Sequence, residues 1–174
     1  MELESFEVLI EMPKDEARRI HLDYSRTYYI DLGPIKNVIP INEGKMPIAY
    51  GFVIGTLIKD EEEESELDAI VYSEKEYKIG DRVNAYPVAL IHIKNGDHKI
   101  VFVDDSTKGK LWNNIPSGER DTILKYFGYK SPIESVGDRD DGFNLIKKSL
   151  TDKALPIPRE AIVRKQNNME DRNP

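Results

Sequence analysis

Cysteine is absent from this chain of 174 residues. It therefore has no disulfide framework, thiolate zinc site, thiol nucleophile or cysteine-held iron–sulfur cluster. Long hydrophobic runs are missing too: no stretch approaches the roughly 20 consecutive apolar residues of a membrane helix, and mean hydropathy is -0.55. The opening MELESFEVLIEMP carries acids early and no apolar run of the signal-peptide kind, so the sequence leads us to expect a cytoplasmic protein that does not span a bilayer. There is no surplus of positive charge. Asp+Glu number 32 against Lys+Arg 25, a net charge of -7, which is a poor basis for neutralising the phosphates of DNA or RNA. No glycine-rich phosphate loop and no GxSxG elbow occurs, so P-loop and serine-hydrolase chemistries lack support.

What is present reads as many short strands. FEVLIEM (6–12), TYYIDL (27–32), YGFVIGTLI (50–58) and DAIVYS (68–73) are β-rich and broken by polar or turn residues. DRVNAYPVALIHI (81–93) and HKIVFVDD (98–105) follow, joined by Lys94-Asn95-Gly96-Asp97; Asn-Gly between apolar runs predicts a hairpin. The acidic run EEEESE (61–66) repels itself and reads as a solvated loop. Strands in this number, linked by turns, predict a small closed or half-closed barrel. The last third changes character. ERDTILKYFGYK places Ile123, Leu124 and Phe127 on one helical face with Gly128 to end it. Asp140-Asp141-Gly142 opens a second amphipathic segment with Phe143, Ile146 and Leu150 at helical spacing. Residues 151–174 contain two close prolines and end polar, which reads as a partly disordered C-terminal arm following a domain of residues 1–150.

The order of motifs resembles one family, the soluble, magnesium-dependent inorganic pyrophosphatases of the barrel type. FEVLIEMPKDEARR is similar to that family's opening strand V-x-I-E-I-P, and MPIAYGFVIGTL to its Y-P-x-N-Y-G-Y-I-x-x-T. DAIVYS, KIGDRVNAYPVALIHI, GDHKIVFV and the GYK after a helix fall in the family's order, and the match spans roughly residues 6–150. The resemblance implies an α+β, mainly β fold: a closed five-stranded OB-like barrel flanked by two helices. It implies magnesium-dependent hydrolysis of pyrophosphate to two phosphates by metal-activated water, in a homo-oligomer, while charge and hydropathy lead us to expect no nucleic-acid or membrane partner. Physically, splitting a compact polyanion needs cations on both phosphates and carboxylates to hold hard metal ions.

Carried over residue by residue, the resemblance makes Glu11, Glu63, Asp68 and Asp97 metal ligands, with Glu63, Asp68 and Tyr50 closest to the chemistry, and Glu66, beside the vacant middle position of the metal loop, is a compensating metal carboxylate. It makes Arg19, Lys36, Lys99, Tyr129 and Lys130 the groups that grip phosphate. The departures matter equally. The family's metal loop reads Asp-Gly-Asp-Pro-x-Asp, whereas here the stretch is Glu63-Glu64-Ser65-Glu66-Leu67-Asp68, with a neutral hydroxyl in the middle position. The turn at 94–97 is shortened and offers Asn95 where the family has an aspartate. These losses support a second reading, a catalytically degenerate relative that binds phosphate ligands or serves a structural or regulatory role. A third, an oligonucleotide-binding barrel, is opposed by the net charge of -7. Plainer roles exist as well: strand packing for Tyr50, a helix cap for Tyr129-Lys130, and strand or loop positions for His21, His92 and His98, which have no mutual metal spacing.

Overall fold

The computed structural model describes residues 3–59, 64–153 and 155–166, the side chains of Lys59 and Glu64 excepted. In chain order the strands are β1 (Phe6–Met12), β2 (Arg18–Leu22), β3 (Tyr29–Pro34), β4 (Ala49–Val53), β5 (Ile58–Lys59), β6 (Glu64–Ser65), β7 (Asp68–Tyr72), β8 (Arg82–Ile93) and β9 (Lys99–Val103). Helix α1 (Ser117–Phe127), strand β10 (Ile133–Gly137), helix α2 (Arg139–Ser149) and strand β11 (Val163–Lys165) complete the chain.

The main sheet runs β1-β4-β7-β9-β8-β10, and β8 also pairs with β1. Five strands thus close on themselves in a ring, β1-β4-β7-β9-β8, in agreement with the mainly β, five-stranded architecture expected from the sequence. A closed ring leaves no open edge for foreign strands. Every pairing in the ring is antiparallel except β7 with β9, which is parallel. All five residues of β9 are buried, which is why KIVFV reads as a continuous apolar run rather than an alternation.

Three buried clusters fill the molecule. Val8, Ile10, Val53, Val71, Ile100 and Phe102 pack together with Ile146 of α2. Ile70, Ile91, Val101 and Ile115 meet Ile123 of α1. Leu9, Ile20, Tyr29, Met46, Phe52 and Tyr126 join the ring to the smaller sheet, ordered β11-β3-β2. Strand β2 is short and charged, RRIHL, and only Ile20 is buried; its extended form follows from pairing with β3, which local sequence did not announce. Strand β10 was likewise unforeseen and exists by pairing with β8. Both anticipated helices form, and Gly128 ends α1. Leu150 departs from its expected place on the apolar face of α2: it lies beyond the helix end and is exposed, while Gly142, against the Ala89 carbonyl, lets the helix close on β8.

Beyond α2, residues 155–166 run along the smaller sheet. Strand β11 pairs parallel with β3, the Tyr29 amide donates to the Ile162 carbonyl at 2.8 Å and the Gln166 amide to the Asp31 carbonyl at 3.0 Å. No helix among the described residues is long and apolar enough to cross a membrane.

Two positions carry local constraints that can be tested. Gly51 of β4 pairs with Ile10, and a Cβ there would sit 1.6 Å from the Leu9 carbonyl oxygen. Because backbone must move, Gly51→Ala will cost about 3 kcal/mol, the upper end for overpacking; a urea midpoint within error of wild type would contradict this. Asp104, buried after β9, accepts hydrogen bonds from the Ser73, Tyr77 and Ser106 hydroxyls and from the Ser106 amide at 2.9 Å. Burial raises its pKa, but those donors outweigh burial and hold it below the usual carboxylate value. A depressed carboxyl stabilises above its unfolded pKa and loses that contribution as pH falls through the folded value. The stability gap between wild type and Asp104→Asn, about 1–3 kcal/mol at pH 7, will therefore shrink below about pH 4, as followed by urea unfolding at several pH values.

Candidate functional site

The site lies where β7, β9 and the β8–β9 turn meet. Parallel register sets Ala69 opposite Ile100, so the preceding residues, Asp68 and Lys99, stand side by side at the mouth of the ring. Gly96, at φ 87°, takes the left-handed turn conformation, and the Asp97 amide donates to Asn95 Oδ1 at 3.0 Å. This turn returns Asp97 beside Lys99. The Lys99 ammonium donates to Asp68 Oδ2 at 2.6 Å and lies 2.7 Å from Asp97 Oδ1. Lys99 is only 4% exposed, so the pair of carboxylates holds a cation largely out of water.

Burial and the neighbouring Asp97 push Asp68 up to about 6 despite the opposing pull of Lys99. Burial acts on Asp97 in the same direction, yet its hydrogen bond with Asp68 and the Lys99 charge outweigh it, and Asp97 stays below the usual carboxylate value. Tyr50 lies across the strand pair from Ile70, and burial followed by the charges of Asp68, Asp97 and Glu11 raises its phenol well above 10. It is thus a neutral donor, not a phenolate base. Its ring lies 5.4 Å from the Lys99 nitrogen and stacks on Phe127 at 6.2 Å.

Two cavities flank this cluster. The first, of about 170 Å³, includes Arg19, His21, Tyr50, Asp97, Lys99 and Lys130 in its lining, together with apolar side chains. Among the described residues Arg19 and Lys130 have no carboxylate partner, so two unneutralised cations face this space beside Lys99. The end of α1 is tied to the β8–β9 turn by the Asn95 amide, which donates to Ser131 Oγ at 3.1 Å; this places Lys130. The second cavity, of about 230 Å³, is acidic: Glu11, His21, Arg26, Ser65, Glu66 and Asp68 line it. Glu11 sits where the β1–β4 register shifts between Ile10 and Met12, a bulge that aims a side chain. Its carboxylate accepts from the Leu22 amide at 2.7 Å and lies 3.7 Å from His21 Nδ1.

Of the residues expected from sequence, Arg19, Tyr50, Asp97, Lys99 and Lys130 share the basic cavity, and Glu11, Glu66 and Asp68 share the acidic one. Glu66 is bound by the Arg26 guanidinium, so its carboxylate is already neutralised by a cation of the chain. Lys36 and Tyr129 are exposed and line neither cavity. Glu63 lies outside the described residues. Among the described residues no group of three or more His, Asp or Glu side chains is arranged to hold a metal ion. Sequence reasoning missed His21, which lines both cavities and meets the Tyr50 ring edge-on at 6.4 Å, and Arg26. For His21 a signal existed: Arg19 and His21 are two apart on β2 and so share a face, once that segment is seen as a strand.

The Lys99 bridge is testable. Removing the ammonium with Lys99→Met leaves two acids facing each other in a half-buried site, and will cost about 3 kcal/mol at neutral pH. Lys99 lowers the Asp68 pKa, so the variant's Asp68 will titrate higher still. A raised carboxyl stabilises fully below its unfolded pKa and loses that contribution as pH rises through the folded value. The deficit will accordingly be smaller at pH 5 than at pH 8, and denaturant unfolding at the two pH values that gave equal deficits would refute the bridge.

Similarity to known proteins agrees with this geometry. The described fold resembles the crystal structure of an inorganic pyrophosphatase from Ehrlichia chaffeensis with a TM-score of 0.72 at 19% identity, over 84% of this chain and 94% of that one. The inorganic pyrophosphatase from Helicobacter pylori gives 0.71 at 20% identity, over 86% and 95%, and one from Neisseria gonorrhoeae 0.68 at 22%, over 83% and 88%. No curated protein sequence matches. Residues 8–151 match the family model described as inorganic pyrophosphatase, and since they span most of the 174 residues, the chain belongs to the inorganic pyrophosphatase family.

Proposed function

We propose that the protein hydrolyses inorganic pyrophosphate to two phosphates, using magnesium. The observation that carries the reading is the adjacency of the two cavities: three cations, Arg19, Lys99 and Lys130, line one, carboxylates line the other, and the Asp68–Lys99–Asp97 bridge joins them. A diphosphate lodges on the basic side, its oxygens held by Arg19, Lys130 and Lys99 through charge-assisted hydrogen bonds. The neutral Tyr50 phenol contributes a further donor at the junction. Asp68, at the boundary, orients the attacking water and takes its proton, and the two phosphates leave through the basic cavity.

The donor set suits a hard cation. Asp68 and Asp97 already share one positive group, the Lys99 ammonium, and offer only oxygen; magnesium is commonly held by one or two carboxylates together with substrate phosphates. Asp68 and Asp97 are therefore the residues that would hold it, with Glu11 nearby. When bound, the ion supplies positive charge to the phosphoryl oxygens and acidifies water. Within the same reading, the cysteine-free composition supports a cytoplasmic setting and the family resemblance supports a homo-oligomer.

One specific observation favours a second reading, binding without turnover: Lys99 spans both central acids and Arg26 neutralises Glu66, which lowers the negative charge left for metal. The two readings separate in one assay. With excess magnesium, phosphate release from pyrophosphate should fall on the order of 10²-fold in Asp68→Asn, and KM should rise about tenfold in Arg19→Ala and in Lys130→Ala, the equivalent of one lost contact worth about 1.4 kcal/mol. Wild-type release no faster than that of Asp68→Asn, alongside tight calorimetric binding of a methylene-bridged analogue, would leave the binding reading in its place.

A further inference from the structure

The basic cavity has more apolar wall than pyrophosphate can use. Besides the cations, its lining includes Met12, Ile35, Ile39, Met46 and Phe127. Met12, Ile35 and Met46 are buried, whereas Ile39 and Phe127 are half-buried and open to the cavity. The wall offers little hydrogen bonding: the Tyr126 hydroxyl, which also lines the cavity, is spent on Met46 Sδ at 3.3 Å. Pyrophosphate presents only charged oxygens, so next to such a wall it would gain nothing and leave aliphatic surface wet. A ligand with an anionic end and an apolar end would satisfy both halves at once, since hydrophobic gain scales with apolar area removed from water.

We propose that this cavity accepts a diphosphate monoester of a small aliphatic alcohol, with its diphosphate on Arg19, Lys99 and Lys130 and its hydrocarbon against Ile39, Met46 and Phe127. The inference rests on the reading of the cavity as a diphosphate site and names a wider substrate class for it. An aliphatic group is favoured over a nucleoside because Met12, Ile35, Ile39 and Met46 are flexible thioether and branched aliphatic side chains and the ring of Phe127 is already stacked on Tyr50, while the polar lining groups Asn95 and Ser131 are engaged at the turn. Hydrolysis of such an ester balances simply. Water oxygen bonds to the terminal phosphorus, the bond from that phosphorus to the bridging oxygen breaks, and the alkyl monophosphate departs with the bridging oxygen. Both protons of the water end on the released inorganic phosphate.

Calorimetry on the full chain with magnesium compares methylenediphosphonate, its butyl monoester and adenosine 5′-(α,β-methylene)diphosphate, none of which can be cleaved at the bridge. The expected result is that the butyl ester binds about tenfold more tightly than the parent, and that Ile39→Ser, which strips the wall, and Ile39→Phe, which fills the space, each bring the ratio of the two dissociation constants toward one. Val38→Ser, at another half-buried lining position, repeats the test on a separate side chain. Wild-type protein that binds the parent as tightly as the butyl ester, while still cleaving pyrophosphate, overturns the inference and leaves the proposed function standing. Tighter binding of the adenosine compound than of the butyl ester overturns the aliphatic assignment. Failure of all three to bind removes the diphosphate reading and this inference with it.

Discussion

A lysine ammonium held between two aspartates organises the site and much of the ring around it. Lys99 is buried and meets Asp68 at 2.6 Å and Asp97 at 2.7 Å. A buried cation without partners costs several kcal/mol, so the chain must bring both acids to it. Asp68 arrives through the parallel register of β7 and β9, and Asp97 through the tight turn between β8 and β9. The same contacts that make the cation tolerable therefore fix a strand register and a hairpin. They also separate a basic cavity from an acidic one.

The cationic wall depends on a different part of the fold. Arg19 and His21 project from β2, whose only buried residue is Ile20, and β2 is extended because it pairs with β3. Strand β3 in turn is flanked on its far side by β11, and the buried Asp31 of β3 accepts from the Arg18 side chain at 2.9 Å. The three-stranded sheet β11-β3-β2 is thus the support for Arg19. The ring supplies Asp68 and the buried Lys99, and the smaller sheet and the end of α1 add Arg19 and Lys130.

This division explains how much could be read in advance. The strands of the ring were legible in FEVLIEM, DAIVYS and HKIVFV because both their faces are buried and their sequences carry apolar runs or alternation. The hairpin was legible because Asn95-Gly96 admits the left-handed turn. Asp68, Asp97 and Lys99 could be nominated from the order of motifs, but the contact among them could not, since it depends on β7 and β9 being parallel neighbours, a pairing across about thirty residues that no local pattern encodes. RRIHL hid its strand because a sheet lying over a site carries charge where a core strand carries valine. The role of Glu66 was invisible for a similar reason: its partner Arg26 is 40 residues away, and it reaches Glu66 from a backbone position at φ 60°.

The charge arithmetic of the site bears on how a protein with net charge -7 handles a polyanion. Beyond a Debye length, about 8 Å in physiological salt, the surplus of acids is screened, so recognition is left to groups within the cavity. There Arg19, Lys99 and Lys130 face Asp97, and the balance favours an anion. On the acidic side the Lys99 ammonium contacts a single oxygen of each aspartate, Oδ2 of Asp68 and Oδ1 of Asp97. An ionised carboxylate has two oxygens and about four lone-pair positions, so both acids keep acceptor capacity while holding the lysine. The ammonium and a hard cation need not compete for the same atoms. With the lysine in place, two carboxylates and one ammonium leave a single net negative charge, which suits an ion that brings a phosphate ligand with it better than a cluster of bare ions.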